Sequence, residues 1–90
     1  MASYMMVRHR VRDFGKWKVV YDEHQGARKK AGLTEVQLLR GIEDGNDVVL
    51  LFEAKSAEKT RAFSDAPNTR ETMNRAGVMA RPEVLFLNSA

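Results

Sequence analysis

Hydrophobic and polar positions alternate at the start of this chain and then change to helical spacing. From Tyr4 to Arg12, Met5, Val7, His9 and Val11 fall on one side and Met6, Arg8, Arg10 and Arg12 on the other. That period of two predicts a strand with one apolar face. From Asp13 to Gly32, Phe14, Trp17, Tyr21, His24, Arg28 and Ala31 recur at intervals of three and four, which predicts one amphipathic helix with these residues on a single face. Asp13 is a suitable N-cap. Gly32, preceded by Arg28, Lys29 and Lys30, is a suitable stop, with cations set against the negative end of the helix dipole. Gly26 inside this stretch costs about 1 kcal/mol relative to Ala.

Leu33 to Ile42 reads as a second strand, with Val36, Leu38 and Ile42 alternating against Glu35 and Gln37. Glu43-Asp44-Gly45-Asn46 is a hairpin signal. Asp47 to Ala54 is apolar on both faces, as expected of a central strand covered twice. Ser56 can cap the next helical stretch, whose apolar anchors are Phe63 and Met73, and Pro67 divides it into helices over 56–65 and 67–76. Gly77 ends the second, and a last strand runs from Glu83 to Asn88. The order β-α-β-β-α-β predicts an α+β, ferredoxin-like protomer with a four-stranded antiparallel sheet, the first and third strands in its centre. The length predicts one domain over residues 1–90.

Helices cover one face of such a sheet. Val7, His9, Val11, Val36, Leu38, Val48, Leu50, Phe52, Val84 and Phe86 are expected there. The other face would carry Val49 and Leu51 beside Arg8, Arg10 and Glu53, with nothing of its own to cover it. A chain of this length buries only a modest share of its surface alone. A second copy across a two-fold axis is the simplest cover, so a homodimer through the sheet faces is expected. The arginines are expected to pair with Glu53 and Glu35, across strands or across the dimer.

Composition narrows the function. The chain has no cysteine, which removes disulfides, thiolate metal sites and a Cys nucleophile, and points to a reducing, cytoplasmic setting. No apolar run approaches the roughly 20 residues of a membrane span, and MASYMMVRHR lacks the long apolar segment of a signal peptide, so no membrane partner is expected. A net charge of +3 is too small to imply nucleic acid. RNA-binding domains with this element order need exposed aromatics on the first and third strands, where this chain offers Val49, Leu51 and Glu53. Two histidines fall short of a catalytic zinc set, and Asp22 and Glu23 face away from them, so no metal and no cofactor is expected.

The candidate site lies between the long helix and the sheet. His9 is the one polar group on the first strand's apolar side. It stands four residues before Asp13, about 13 Å of strand, equal to roughly nine residues of helical rise. That count sets Tyr21 to His24 level with His9. His9 or His24 would be a base near neutral pH and Tyr21 a donor to a developing oxyanion. Trp17 and Phe52 would form apolar walls. Arg28, one turn from His24, either grips an anion with it or turns back to Glu35 or a backbone carbonyl. The same residues also read as ordinary core, with the polar tips of Tyr and Trp reaching solvent.

The runs VRDFGKWKVVYDEHQGARKKAGL, VVLLFEAKSAEKTRAF and MNRAGVMARPEVLFLN resemble small bacterial proteins of the dimeric α+β barrel superfamily, which includes antibiotic-biosynthesis-monooxygenase-like and "cyclase"-labelled proteins. The pattern W-K-x-x-F-D-x-H-x-x-x-R-x-x-x-G of one branch falls on Trp17, Lys18, Tyr21, Asp22, His24, Arg28 and Gly32, with Tyr21 in place of Phe. Ala66 stands where a capping Ser is usual. The resemblance implies a ferredoxin-like protomer and a dimer joined sheet to sheet, forming a dimeric α+β barrel. Relatives of this kind include cofactor-free oxygenases acting on polycyclic aromatics, haem-degrading enzymes and proteins of no known activity. The expectation is therefore a homodimer that binds a small aromatic or anionic molecule, either as a cofactor-independent monooxygenase or cyclase-like enzyme or as a non-catalytic binding module.

Overall fold

The computed structural model describes residues 2–90. Its elements are β1 (Ser3–Arg10), α1 (Phe14–Glu23), α2 (Gln25–Lys30), β2 (Leu33–Arg40), β3 (Asp47–Ala54), α3 (Ala57–Asp65), α4 (Pro67–Arg75) and β4 (Glu83–Asn88). The strands form one antiparallel sheet in the order β2-β3-β1-β4, so β1 and β3 are central as the patterning predicts. Val7 faces Leu50 on one side and Val84 on the other, while Met5 lies between Phe52 and Phe86. These rows point toward the helices and form the core with Val11, Trp17 and Val48.

The helix ends follow local chemistry. Asp13 caps α1 by accepting from the Lys16 N–H, and Ser56 caps α3 by accepting from the Lys59 N–H. Pro67 sits in the first turn of α4, where its missing N–H costs nothing. Gly32 and Gly77 stand at positive φ, 81° and 84°, just beyond α2 and α4, where a side chain would be strained.

Four expectations need correction. The predicted helix over Asp13–Gly32 is two helices, broken at His24 with φ −91° and ψ 8°. Arg28 reaches back and donates to the Tyr21 carbonyl at 2.7 Å, while the His24 N–H donates to the same carbonyl at 3.2 Å. A side chain inserted into the carbonyl ladder bends a helix, and Gly26 two residues on weakens the helix further. Next, Val36 does not join the core. A bulge between Glu35 and Gln37 shifts the register and leaves it half exposed. β2 also ends at Arg40, so Ile42 lies fully exposed in the loop. Finally, Arg8 pairs with Asp47, at 2.9 Å, and Arg10 with Asp44, rather than with Glu53 and Glu35.

β1 ends at Arg10 and the chain turns before α1. Val11 forms a bridge with Val78, and the Met79 N–H donates to the Arg10 carbonyl at 2.9 Å. Asn46, in the β2–β3 loop, holds this turn from the other side. Its carbonyl accepts from the Val11 N–H (2.8 Å), its Oδ1 accepts from the Phe14 N–H (3.0 Å), and its Nδ2 donates to the Arg12 carbonyl (3.3 Å).

The sheet face away from the helices carries a row of Leu51, Met6 and Leu85, and beside it Val49, Tyr4 and Leu87. Leu85 and Leu87 are 48% and 41% exposed, which leaves an apolar patch on this face of the protomer. Among the described residues, no helix is long and apolar enough to cross a membrane.

Candidate functional site

A cavity of about 820 Å³ lies between the sheet and the helices. Its floor comes from β1, β3 and β4 and its walls from α1, α3, α4 and the segment leading to β4. His9, Trp17, Tyr21, His24, Arg28 and Phe52, the six residues expected of a site, all line it.

Three of them, Trp17, Tyr21 and Arg28, form a stack. The Trp17 and Tyr21 rings lie parallel, centroids 4.7 Å apart, as one helical turn allows. The Arg28 guanidinium covers the outer face of the stack, 3.6 Å from the Tyr21 centroid. Phe14 continues it on the other side of Trp17 at 5.6 Å and is covered by Arg40, 3.8 Å from its ring. Two cation–π contacts thus close a run of three aromatics, each worth about 0.5–1 kcal/mol or more. This wall is rigid. Of Arg28's two expected postures, the structure holds the one directed to a backbone carbonyl, and burial lowers its pKa.

His9 meets Trp17 rather than Tyr21 or His24. Its ring is edge-on to the indole at 5.6 Å. Counting rises along a straight strand and helix overshoots by about one turn, because the chain turns through Val11–Asp13 and starts α1 close to His9. Both His9 ring nitrogens are buried without a hydrogen-bond partner among the described residues. Burial pushes its pKa down to about 4. The imidazole is therefore neutral at pH 7, offering one N–H donor and one acceptor. It is also a reluctant base, because a general base works best with a pKa near the working pH.

Tyr21 donates its hydroxyl proton to Glu35 Oε1 at 2.7 Å, which ties α1 to β2. Burial first, and that hydrogen bond second, push its pKa up. Its oxygen keeps acceptor capacity, but its proton is held by the carboxylate. His24 sits at the helix break, its ring centroid 6.0 Å from that of Phe63, with its Nε2 buried and without a partner among the described residues. Burial, then the charges of Arg28 and Arg75, lower its pKa. No group of three His, Asp or Glu side chains among the described residues is placed to hold a metal ion.

Sequence reasoning missed the outer lining. Arg70 on α4 and Arg81 before β4 both border the cavity. Arg70 lies three residues before Met73, on the face that this apolar anchor turns inward, and that spacing was the available signal. Arg81 follows no periodic pattern.

The architecture, an antiparallel four-stranded sheet with helices on one face and a cavity between them, defines a ferredoxin-like α+β protein of the antibiotic-biosynthesis-monooxygenase-like fold. Among solved structures it is similar to SnoaB, a cofactor-independent oxygenase from Streptomyces nogalater, at 13% identity, covering 99% of this chain and 93% of that one, with a TM-score of 0.77. It is similar to an antibiotic biosynthesis monooxygenase at 10% identity, covering 98% of each chain, with a TM-score of 0.71. A conserved protein from Methanosarcina mazei Go1 matches at 10% identity over 100% of this chain and 94% of that one, with a TM-score of 0.76. At these identities the likeness is one of fold. No family model matches the chain, and no curated protein sequence matches it.

Proposed function

We propose that this protein binds a small, largely apolar molecule in the cavity between α1 and the sheet, and does so as a homodimer joined through the open sheet faces. The observation that carries the reading is His9. A buried imidazole with two unpartnered nitrogens costs about 1–3 kcal/mol for each unsatisfied group, and a cavity of about 820 Å³ lies beside it. A ligand group that settles against the ring and bonds to one of these nitrogens removes part of that cost. Trp17 and Phe52 supply apolar contact, and the stacked Tyr21 and Arg28 stiffen the wall. A few convergent polar groups in a mainly apolar cavity are the usual make-up of a small-molecule site. The dimer reading rests on the row of half-buried Leu51 and Met6 with exposed Leu85, flanked by exposed Leu87, on the open sheet face.

A thermal-shift screen tests the binding reading. A native-state ligand at a hundredfold its Kd adds about 2.7 kcal/mol. Ligands that stabilise the wild type and lose their effect in His9→Leu support it. A library of planar apolar hydroxy and keto compounds that leaves the melting temperature unmoved counts against it.

The second reading, cofactor-independent oxygenation, is favoured by the likeness in fold to SnoaB. Such an enzyme has to take a proton from its substrate. His9, with its pKa near 4, has little driving force for that, and His24 is the better placed of the two. Oxygen uptake with a bound hydroxyarene, abolished in His24→Ala, supports this reading, and tight binding without uptake leaves the non-catalytic one.

A further inference from the structure

We propose that the cavity's ligand carries a single acidic group, and that Arg70 and Arg81 receive it. The proposal rests on the ligand-binding reading above and gives the ligand its charge. The cavity has two unlike halves. Beside the sheet it is lined by Val7, Leu50, Phe52 and Val84, with the neutral His9 among them. The charged groups lining it are Arg28, Arg70 and Arg81 against a single carboxylate, Asp65. Arg28 is already engaged, stacked on Tyr21 and bonded to the Tyr21 carbonyl. Arg70 and Arg81 are exposed and, among the described residues, form no ion pair and no side-chain hydrogen bond.

The two arginines come from different elements. Arg70 is carried by α4, one turn before the inward-facing Met73. Arg81 immediately precedes Pro82, which holds its backbone extended. Its segment is tied to β1 through the Val11–Val78 bridge and the bond from the Met79 N–H to the Arg10 carbonyl. An acidic group on a ligand of this cavity therefore has guanidinium donors available from two elements of its lining, with apolar surface beside them that lowers the local dielectric and strengthens the attraction. A cationic ligand would meet an excess of like charge. A neutral one would leave both arginines idle.

The test uses a matched pair of probes, anilinonaphthalene sulfonate and the uncharged phenylnaphthylamine. Their ring systems are the same and only one bears an acid group. Binding is read as quenching of Trp17, the chain's one tryptophan, which lines the cavity. The sulfonate should bind the wild type about fivefold more tightly at low salt, the size of one exposed ion pair, and the preference should shrink as salt is added. In the double variant Arg70→Gln/Arg81→Gln the preference should vanish while the affinity for phenylnaphthylamine stays as it was. Arg70→Lys/Arg81→Lys should recover part of it. Equal affinity for the two probes in the wild type overturns the charge assignment and leaves the binding reading standing. An undiminished preference in the Gln variant also overturns it, because the sulfonate then sits elsewhere, such as on the open sheet face. Failure of both probes to quench Trp17 removes the binding reading and this inference with it.

Discussion

The His9 ring meets Trp17 edge-on, centroids 5.6 Å apart and planes at 66°, in a place where neither of its nitrogens finds a partner among the described residues. The contact is a favourable aromatic geometry, but it replaces none of the hydrogen bonds that the imidazole had in water. The arrangement trades stability for a polar foothold inside an apolar site.

Stability should therefore depend on pH in a defined window. The folded pKa of His9 is depressed, to about 4 from an unfolded value of 6.5. Above 6.5 the residue is neutral in both states and exerts no pH dependence. As the pH falls from 6.5 to 4, the unfolded state takes up a proton that the folded state refuses, and stability drops by an amount on the order of 3 kcal/mol. His24, also lowered, acts with the same sign. Chemical denaturation from pH 8 to pH 4 measures the slope. A flat profile down to pH 5 would rule out a buried, neutral His9.

His9→Phe should separate the two consequences. It removes the unsatisfied nitrogens and keeps a ring against Trp17, so the variant should be more stable by about 1–2 kcal/mol at pH 7 and lose most of the acid slope. Ligand binding should weaken in the same variant. A Phe variant less stable than wild type at neutral pH would mean that an unseen partner already satisfies the imidazole.

At Gly26 an added Cβ meets nothing within 4 Å, and its φ is not in the left-handed region. Gly26→Ala should raise stability by about 0.5–1 kcal/mol, chiefly by restricting the unfolded chain. Urea unfolding checks it. A loss of stability would show that the break at His24 requires glycine two residues on, and not the Arg28 contact to Tyr21 alone.

The open sheet face should be where two copies meet. Leu51→Arg puts a charge into the Leu51, Met6, Leu85 row, and should turn a dimer of the wild type into a monomer by light scattering, with the far-UV spectrum unchanged. A wild type that is monomeric at tens of micromolar sinks the dimer outright.

What was legible in the chain is what short-range physics decides. Alternation in Met5, Val7 and His9 and in Val48, Leu50 and Phe52 marks the inner face because side-chain direction in a strand has period two. Asp13, Ser56 and Pro67 mark helix ends because their effects act within one turn. The stack of Trp17, Tyr21 and Arg28 follows from helical spacing, so the site residues were visible as a group. The bulge at Val36 was not visible, since it depends on how β2 meets β3 and no Gly marks it. The break at His24 needs Arg28 to point backward, and one-dimensional spacing does not say which way a long side chain turns. Within the protomer Arg8 and Arg10 pair with Asp47 and Asp44, the first a diagonal contact across strands and the second a contact to the β2–β3 loop, and neither geometry shows in the spacing. Arg81 reached the cavity through the path of an irregular segment.

Asn46 has a kinetic meaning. Its three bonds to Val11, Arg12 and Phe14 join positions more than 30 residues apart and fix where α1 begins. The aromatic wall cannot take its final place until the β2–β3 hairpin has closed and brought that amide to the turn. A contact of such long range forms after the costly loop closure, so the cavity should be assembled on the native side of the folding barrier. A ligand of this cavity should then leave the folding rate almost unchanged and act by slowing unfolding, lengthening the life of the native state.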